Sequence, residues 1–273
     1  MIDLIQITDD PAFARRCDAL PGLRLFVDLE RHGKAERQAG HNTFISTHTL
    51  DDVDRIKAVL RQARLMVRVN PLHAGSAAEV DAVLARGADW LMLPMFTRPD
   101  ELQAFCTLVA GRAPVVALLE TAGALDSLDG WIGTPGLHEV YVGLNDLHLS
   151  LGLRFMFEPL ALGLLDRVAQ QAQAHGRRFG FGGIAQLDGG LLPGRDVLAE
   201  HLRLGSQAVI LSRSFHASSR PEAFEQDVAA LRAAEQALAR RDAAQTEADR
   251  QRIAAVIGQI AAGLPHPAHR SAA

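Results

Sequence analysis

The chain has 273 residues, 48% of them apolar, and a formal net charge of −4. That length accommodates one α/β barrel or two ordinary domains. No basic stripe marks a nucleic-acid partner, and no apolar stretch approaches the roughly 20 residues of a membrane-spanning helix. The two cysteines, Cys17 and Cys106, fall in helical patterns and are expected as reduced thiols rather than a disulfide framework. The acidic start MIDLIQITDD lacks the basic and long apolar regions of a signal peptide, so the expected location is the cytoplasm.

Short apolar runs alternate with longer amphipathic ones, the rhythm of βα repeats and a parallel sheet. The first run covers residues 2–8 and leads into a helix over 11–20, which Asp10 is placed to cap and Pro11 to start. A second strand is predicted at 24–30, followed by the polar stretch RHGKAERQAGHN and a short extended piece at 44–46. Thr49 caps the next predicted helix, LDDVDRIKAVLRQ. Further strands are predicted at 65–69, 90–93, 115–119, 139–143, 178–182 and 208–212. Gly87, Gly176 and Gly205 each follow a helical pattern, where a left-handed residue ends the helix. The expected fold is a parallel (β/α)8 TIM barrel with a C-terminal helical extension. An open doubly wound sheet is the alternative, but no GxGxxG or Walker-type loop opens a helix.

From about Pro221 the composition shifts to Ala, Arg, Glu and Gln. Phe224, Val228, Leu231, Ala234 and Leu238 recur at helical spacing, and a second helix is predicted over 246–262. The expected division is a barrel domain over 1–245 and a helix with a disordered tail over 246–273. The second helix is expected on a neighbouring subunit or on the outside of the barrel. His266 and His269 are read as tail residues.

In such a barrel the chemistry lies at the C-terminal strand ends. Polar groups gather there: Asp28 and Glu30, Arg68 and Asn70, Glu120 and Thr121, Asn145 and Asp146, Gly182 and Gly183, Ser212 and Arg213. Glu120 and Asp146 on neighbouring strands would repel each other unless a cation such as Mg²⁺ or Mn²⁺ sits between them. Their other reading is as caps of the following helices. Arg68, inside LMVRVN, needs a fixed anion. That anion is either Glu120 or Asp146, or a substrate carboxylate or enolate. In GLND and GFGG, glycine stands either where backbone approaches a ligand or in a tight turn.

The segments VDLE at 27–30, VRVNP at 67–71, GADWLMLPM at 87–95, ALLET at 117–121 and VGLNDLHLSLG at 142–152 resemble, in order and spacing, the HpcH/HpaI class II pyruvate aldolase and citrate lyase β-subunit family. The resemblance extends over about residues 24–215. It implies a divalent metal, Mg²⁺ or Mn²⁺, held by Glu120 and Asp146. It implies that Arg68 stabilises the enolate oxygen of a pyruvate-like unit. It also implies a homo-oligomer, trimer or hexamer, acting on a small 2-oxo or hydroxy acid. Asn70, Asp28, Glu30 and the Gly182–Gly183 backbone are the further substrate-binding candidates.

One departure stands out. The family's free-pyruvate aldolases carry His directly after the acidic pair, and its acyl-CoA branch reads DLED. This chain reads DLERHG, with Arg31 in that place and His32 next. His32, His48 and His148 are therefore the candidate general bases. The expected function is a metal-dependent carbon–carbon lyase that cleaves or forms a 4-hydroxy-2-oxo acid through a pyruvate enolate. The alternatives are an acyl-CoA lyase or condensing synthase, with Lys34, Arg37, Arg154 and Arg213 near the CoA, or a non-catalytic barrel that binds metal and 2-oxo acid.

Overall fold

Runs rich in Val, Leu and Ile, apolar nearly throughout, form strands that are buried on both faces, as parallel sheets covered by helices require. The computed structural model of the chain describes residues 1–33, 46–216 and 223–265. Its strands are β1 (Asp3–Ile7), β2 (Leu23–Asp28), β3 (Arg64–Arg68), β4 (Trp90–Leu93), β5 (Val115–Leu119), β6 (Leu137–Val142), β7 (Arg178–Ile184) and β8 (Ala208–Leu211). They pair in chain order as a closed barrel. Pairings β1–β2, β2–β3, β3–β4, β4–β5 and β7–β8 are parallel. The predicted strands recur within one or two residues. The extended piece expected at 44–46 falls mostly outside the described residues, and Ser46 lies in no strand.

The helices are α1 (Pro11–Asp18), α2 (Leu50–Lys57), α3 (Ser76–Ala85), α4 (Pro99–Val109), α5 (Ala122–Asp126), α6 (Leu128–Trp131), α7 (Leu144–Ser150), α8 (Glu158–Ala161), α9 (Leu164–Ala174), α10 (Gly194–Arg203), α11 (Arg213–His216), α12 (Phe224–Leu238) and α13 (Ala243–Gly263). Asp10 caps α1 by accepting from the Ala12 N–H at 2.8 Å. Thr49 and Asp52 form a capping box at α2. Gly87, Gly176 and Gly205 take φ of 86°, 64° and 65°, the left-handed geometry expected after a helix.

The chain forms two compact contact units. The first comprises Asp3–Leu119 and Gly123–Tyr141. At the N-terminal ends of its strands the Arg24 guanidinium donates to both oxygens of Glu139, at 2.9 and 3.0 Å, and to Asp3 at 2.9 Å. It also lies 4.4 Å from the Trp90 ring. Glu139 is 0% exposed and Arg24 is 4%, so each charge depends on the other for what water would have supplied. These anions hold the guanidinium above the ordinary arginine range despite its burial, which acts in the opposite direction.

The second unit comprises Met1–Ile2, Glu120–Ala122 and Val142–Ala273. Its α12 packs on α10, and α13 packs on α8 and α10. Ile253, Ile257 and Ala261 form the buried stripe of α13. Its start is fixed by Asp242 and Gln245, which satisfy each other's backbone N–H. The predicted C-terminal helix thus covers helices of its own chain. Residues 266–273, including the tail histidines, lie outside the described residues. Among the described residues no helix is long and apolar enough to cross a membrane.

Candidate active site

In the first unit, β2 ends on Asp28 and β3 ends on Arg68, and the two are register partners. Their side chains share one face and meet side-on. Arg68 Nε donates to Asp28 Oδ1 at 2.9 Å, and Nη2 donates to Oδ2 at 2.8 Å. Nη1 lies 3.3 Å from Glu30 Oε2. Within this unit the anions that hold Arg68 are Asp28 and Glu30. Both carboxylates are buried, at 5% and 2% exposure. A two-pronged fork of this kind fixes the plane of the guanidinium.

His48 is tied to the same cluster. The Asp28 N–H donates to His48 Nδ1 at 3.1 Å, which leaves the ring proton on Nε2. Arg31, where the sequence departs from the family, donates from Nη2 to the carbonyls of Thr47 and His48 at 3.3 and 2.8 Å. It works there as a strap on the backbone beside His48.

Asn70, just past β3, holds the chain that leaves β2. Its Oδ1 accepts from the N–H groups of Arg31 and His32, at 2.8 and 3.0 Å. Its Nδ2 donates to Glu79 Oε1 at 2.7 Å. Glu79 Oε2 contacts His73 Nε2 at 3.1 Å. Neither His73 nor Glu79 was singled out in the sequence. The stretch HAGSAAE looks like an ordinary turn into a helix, and only the fold shows that its two ends meet. Met95, after β4, holds a φ of 56°, a left-handed conformation rare for a side chain of that size.

In the second unit, Glu120 follows the last residue of β5 and is 3% exposed. Asp146 lies in the first turn of α7. The two elements are joined where the Ala122 N–H donates to Ser150 Oγ at 2.9 Å. His148 sits on α7 as well, 8% exposed, with Nδ1 3.1 Å from the Leu144 carbonyl. Burial pushes its imidazole below the ordinary histidine range, and the neighbouring hydrogen bonds and carboxylates offset only part of that.

Gly182 has φ of 55°, and the β7–β8 register shifts between Gly180 and Gly183. A Cβ at Gly182 would lie 2.9 Å from Leu144 Cδ1, so α7 packs directly on this backbone. At β8, Ser212 Oγ lies 2.8 Å from Ser214 Oγ, and Arg213 is exposed. Arg154 and Phe155 donate their N–H groups to Glu158 Oε2 at 2.6 and 2.7 Å. Lys34 and Arg37 lie outside the described residues.

Among the described residues, no group of three or more His, Cys, Asp and Glu side chains is spaced to hold a metal ion. Glu120 and Asp146 lie in the same unit, on elements joined by the Ala122–Ser150 hydrogen bond. Two carboxylates with the remaining positions filled by water and substrate oxygens is the usual arrangement for Mg²⁺.

A closed parallel barrel with charged groups at its strand ends is the (β/α)8 class that carries its chemistry on that rim. The chain belongs to the HpcH/HpaI aldolase/citrate lyase family, whose profile matches residues 9–186. It is 31% identical over 113 residues to a (3S)-malyl-CoA thioesterase of Cereibacter sphaeroides. That match spans 41% of this chain and only 39% of the thioesterase. In fold it is similar to an HpcH/HpaI aldolase/citrate lyase family protein from Burkholderia cenocepacia, with TM-score 0.63, 18% identity, and 85% of this chain and 95% of that one covered. An HpcH/HpaI aldolase from Desulfitobacterium hafniense gives TM-score 0.60 at 15% identity, with 89% and 94% covered.

Proposed function

We propose that the protein is a divalent-metal-dependent carbon–carbon lyase that cleaves or forms a 4-hydroxy-2-oxo acid through a pyruvate enolate. The observation that carries this reading is Glu120, a carboxylate 3% exposed at the end of β5, on a segment hydrogen-bonded to the helix that bears Asp146. Two carboxylates on joined elements, with water and substrate oxygens in the remaining positions, suit a hard divalent cation.

Glu120 and Asp146 would hold Mg²⁺ or Mn²⁺. The ion when bound supplies Lewis acidity toward the oxygens of the 2-oxo acid. Arg68 hydrogen-bonds the oxygen on which charge develops. Asp28 and Glu30 hold its guanidinium before substrate arrives, so little reorganisation opposes the reaction. In cleavage a histidine takes the C4 hydroxyl proton and the C3–C4 bond breaks. The aldehyde leaves, and the bond's electron pair becomes the enolate of pyruvate. Return of the proton to C3 completes the turnover.

Calorimetry with Mn²⁺ tests the metal assignment. Glu120→Gln and Asp146→Asn should each lose metal binding together with lyase activity. Full binding and activity in both variants would contradict it.

A second reading, hydrolysis or cleavage of an acyl-CoA, is favoured by the similarity to the malyl-CoA thioesterase. Release of free thiol from a malyl-CoA-type thioester, with no turnover of free 2-oxo acids, would support it instead.

A further inference from the structure

We infer that the Ser150 hydroxyl is the clamp that sets the spacing of the two proposed metal-binding carboxylates, which makes Ser150 a positioning residue. The inference rests on the metal assignment above and deepens it.

Asp146 and Ser150 stand four residues apart on α7, and residues at that spacing share one face of a helix. One face of α7 therefore carries a carboxylate in its first turn and a hydroxyl in its last. The Ala122 N–H donates to that hydroxyl oxygen at 2.9 Å. Ala122 is the first residue of α5, so its N–H has no acceptor within its own helix. Ser150 supplies the acceptor from another element. The bond joins a residue two positions beyond Glu120 to a residue one helical turn beyond Asp146. All four residues lie in the same compact unit.

The rest of α7 is already held when the hydroxyl makes this bond. Leu144, Leu147 and His148 bury its other side. Leu144 packs so closely on Gly182 that a Cβ there would lie 2.9 Å from Leu144 Cδ1. The C-terminal end is closed by two backbone bonds, from the Gly152 N–H to the Leu149 carbonyl at 3.1 Å and from the Leu153 N–H to the His148 carbonyl at 2.8 Å. Gly152 takes the left-handed φ of 69° that such an ending requires. Ser150 itself is exposed. Shortening it to alanine opens no cavity in the core, so that change tests the bond and not the packing.

Two carboxylates that share a site repel each other before a cation arrives. A hard divalent cation then asks for a regular arrangement of oxygens around it. A bond that fixes the two segments in advance opposes the repulsion and leaves less to reorganise when the ion binds. The Ala122–Ser150 bond does this without touching the ion.

Calorimetry of Mn²⁺ binding to the full chain, together with the EPR spectrum of the bound ion, tests the clamp. Ser150→Ala should weaken Mn²⁺ binding by about fivefold, the equivalent of one ordinary hydrogen bond, and change the zero-field splitting of the bound ion. Ser150→Thr keeps the hydroxyl and should stay within about twofold of the wild type, with the wild-type spectrum. Glu139→Gln, in the other unit, is the control for general loosening and should bind Mn²⁺ as the wild type does. Wild-type affinity and spectrum in Ser150→Ala would overturn the clamp. An equal loss in Ser150→Thr or in Glu139→Gln would overturn it as well. No Mn²⁺ binding by the wild type, or full binding by both Glu120→Gln and Asp146→Asn, would instead overturn the metal assignment on which the inference rests.

Discussion

Arg68 and Asp28 close the ends of two adjacent strands with a side-on ion pair, at 2.9 and 2.8 Å. Glu30 backs the pair on its third side at 3.3 Å. One cation thus serves two buried carboxylates, so Arg68 has a structural role besides its proposed catalytic one. Arg68→Ala should cost about 3 kcal/mol in urea unfolding, since removing one partner of a buried pair leaves the other uncompensated. Arg68→Lys should recover part of that stability but not the activity, because an ammonium cannot make the fork. Equal activity in the lysine variant would count against the proposed role of the planar guanidinium.

A second buried pair makes a prediction about folding alone. Glu139→Gln removes the charge opposite Arg24 at the N-terminal strand ends. It should destabilise the protein by about 3 kcal/mol and leave kcat unchanged below the melting range. A large fall in kcat at a temperature where the variant is fully folded would show that this cluster does more than hold the barrel.

Gly182→Ala should couple the β7 bulge to the proposed metal site. Its φ of 55° disfavours any side chain, and the new Cβ would press on Leu144, two residues before Asp146. The expected cost is about 1–2 kcal/mol, with weaker Mn²⁺ binding by calorimetry. Unchanged affinity would mean that α7 accommodates the methyl group without moving Asp146.

His201 predicts a pH dependence. It is fully buried, stacked on Phe181 at 3.7 Å, and its Nδ1 lies 2.7 Å from Ser206 Oγ, while Nε2 has no hydrogen-bond partner. Burial pushes its pKa down to about 3 from the ordinary 6.5. Between those values the unfolded chain binds a proton that the folded chain does not. This contribution to stability is therefore fully present above pH 6.5 and is lost as pH falls from 6.5 toward 3. The slope from this one group is about 1.4 kcal/mol per pH unit. Unfolding free energies measured across that range should lose this slope in His201→Phe, and an unaltered slope would contradict the assignment.

The strands and the barrel were legible because apolar runs bounded by turn residues carry a strong signal. The runs at Trp90–Leu93 and Val115–Leu119 match the observed strands end to end. The family was legible from ordered segments such as VRVNP and VGLNDLHLSLG. The partner of Arg68 was not, because it depends on the register of β2 against β3, and a slip of one residue sends a side chain to the opposite face. The contacts of His73 with Glu79 and of His201 with Phe181 escaped for a related reason. Each depends on how a loop or helix lies against its neighbour, which no periodicity encodes. The sequence placed three histidines on an equal footing as bases, and only their burial and hydrogen bonds separate them.

Oxaloacetate decarboxylation tests for the proposed pyruvate-enolate site without knowledge of the aldehyde. Pyruvate formation should require added Mn²⁺ or Mg²⁺, stop with EDTA, and fall by about 100-fold or more in Arg68→Ala protein that is verified as folded. Metal-independent turnover, or turnover that survives loss of Arg68, would contradict a metal- and Arg68-dependent enolate site.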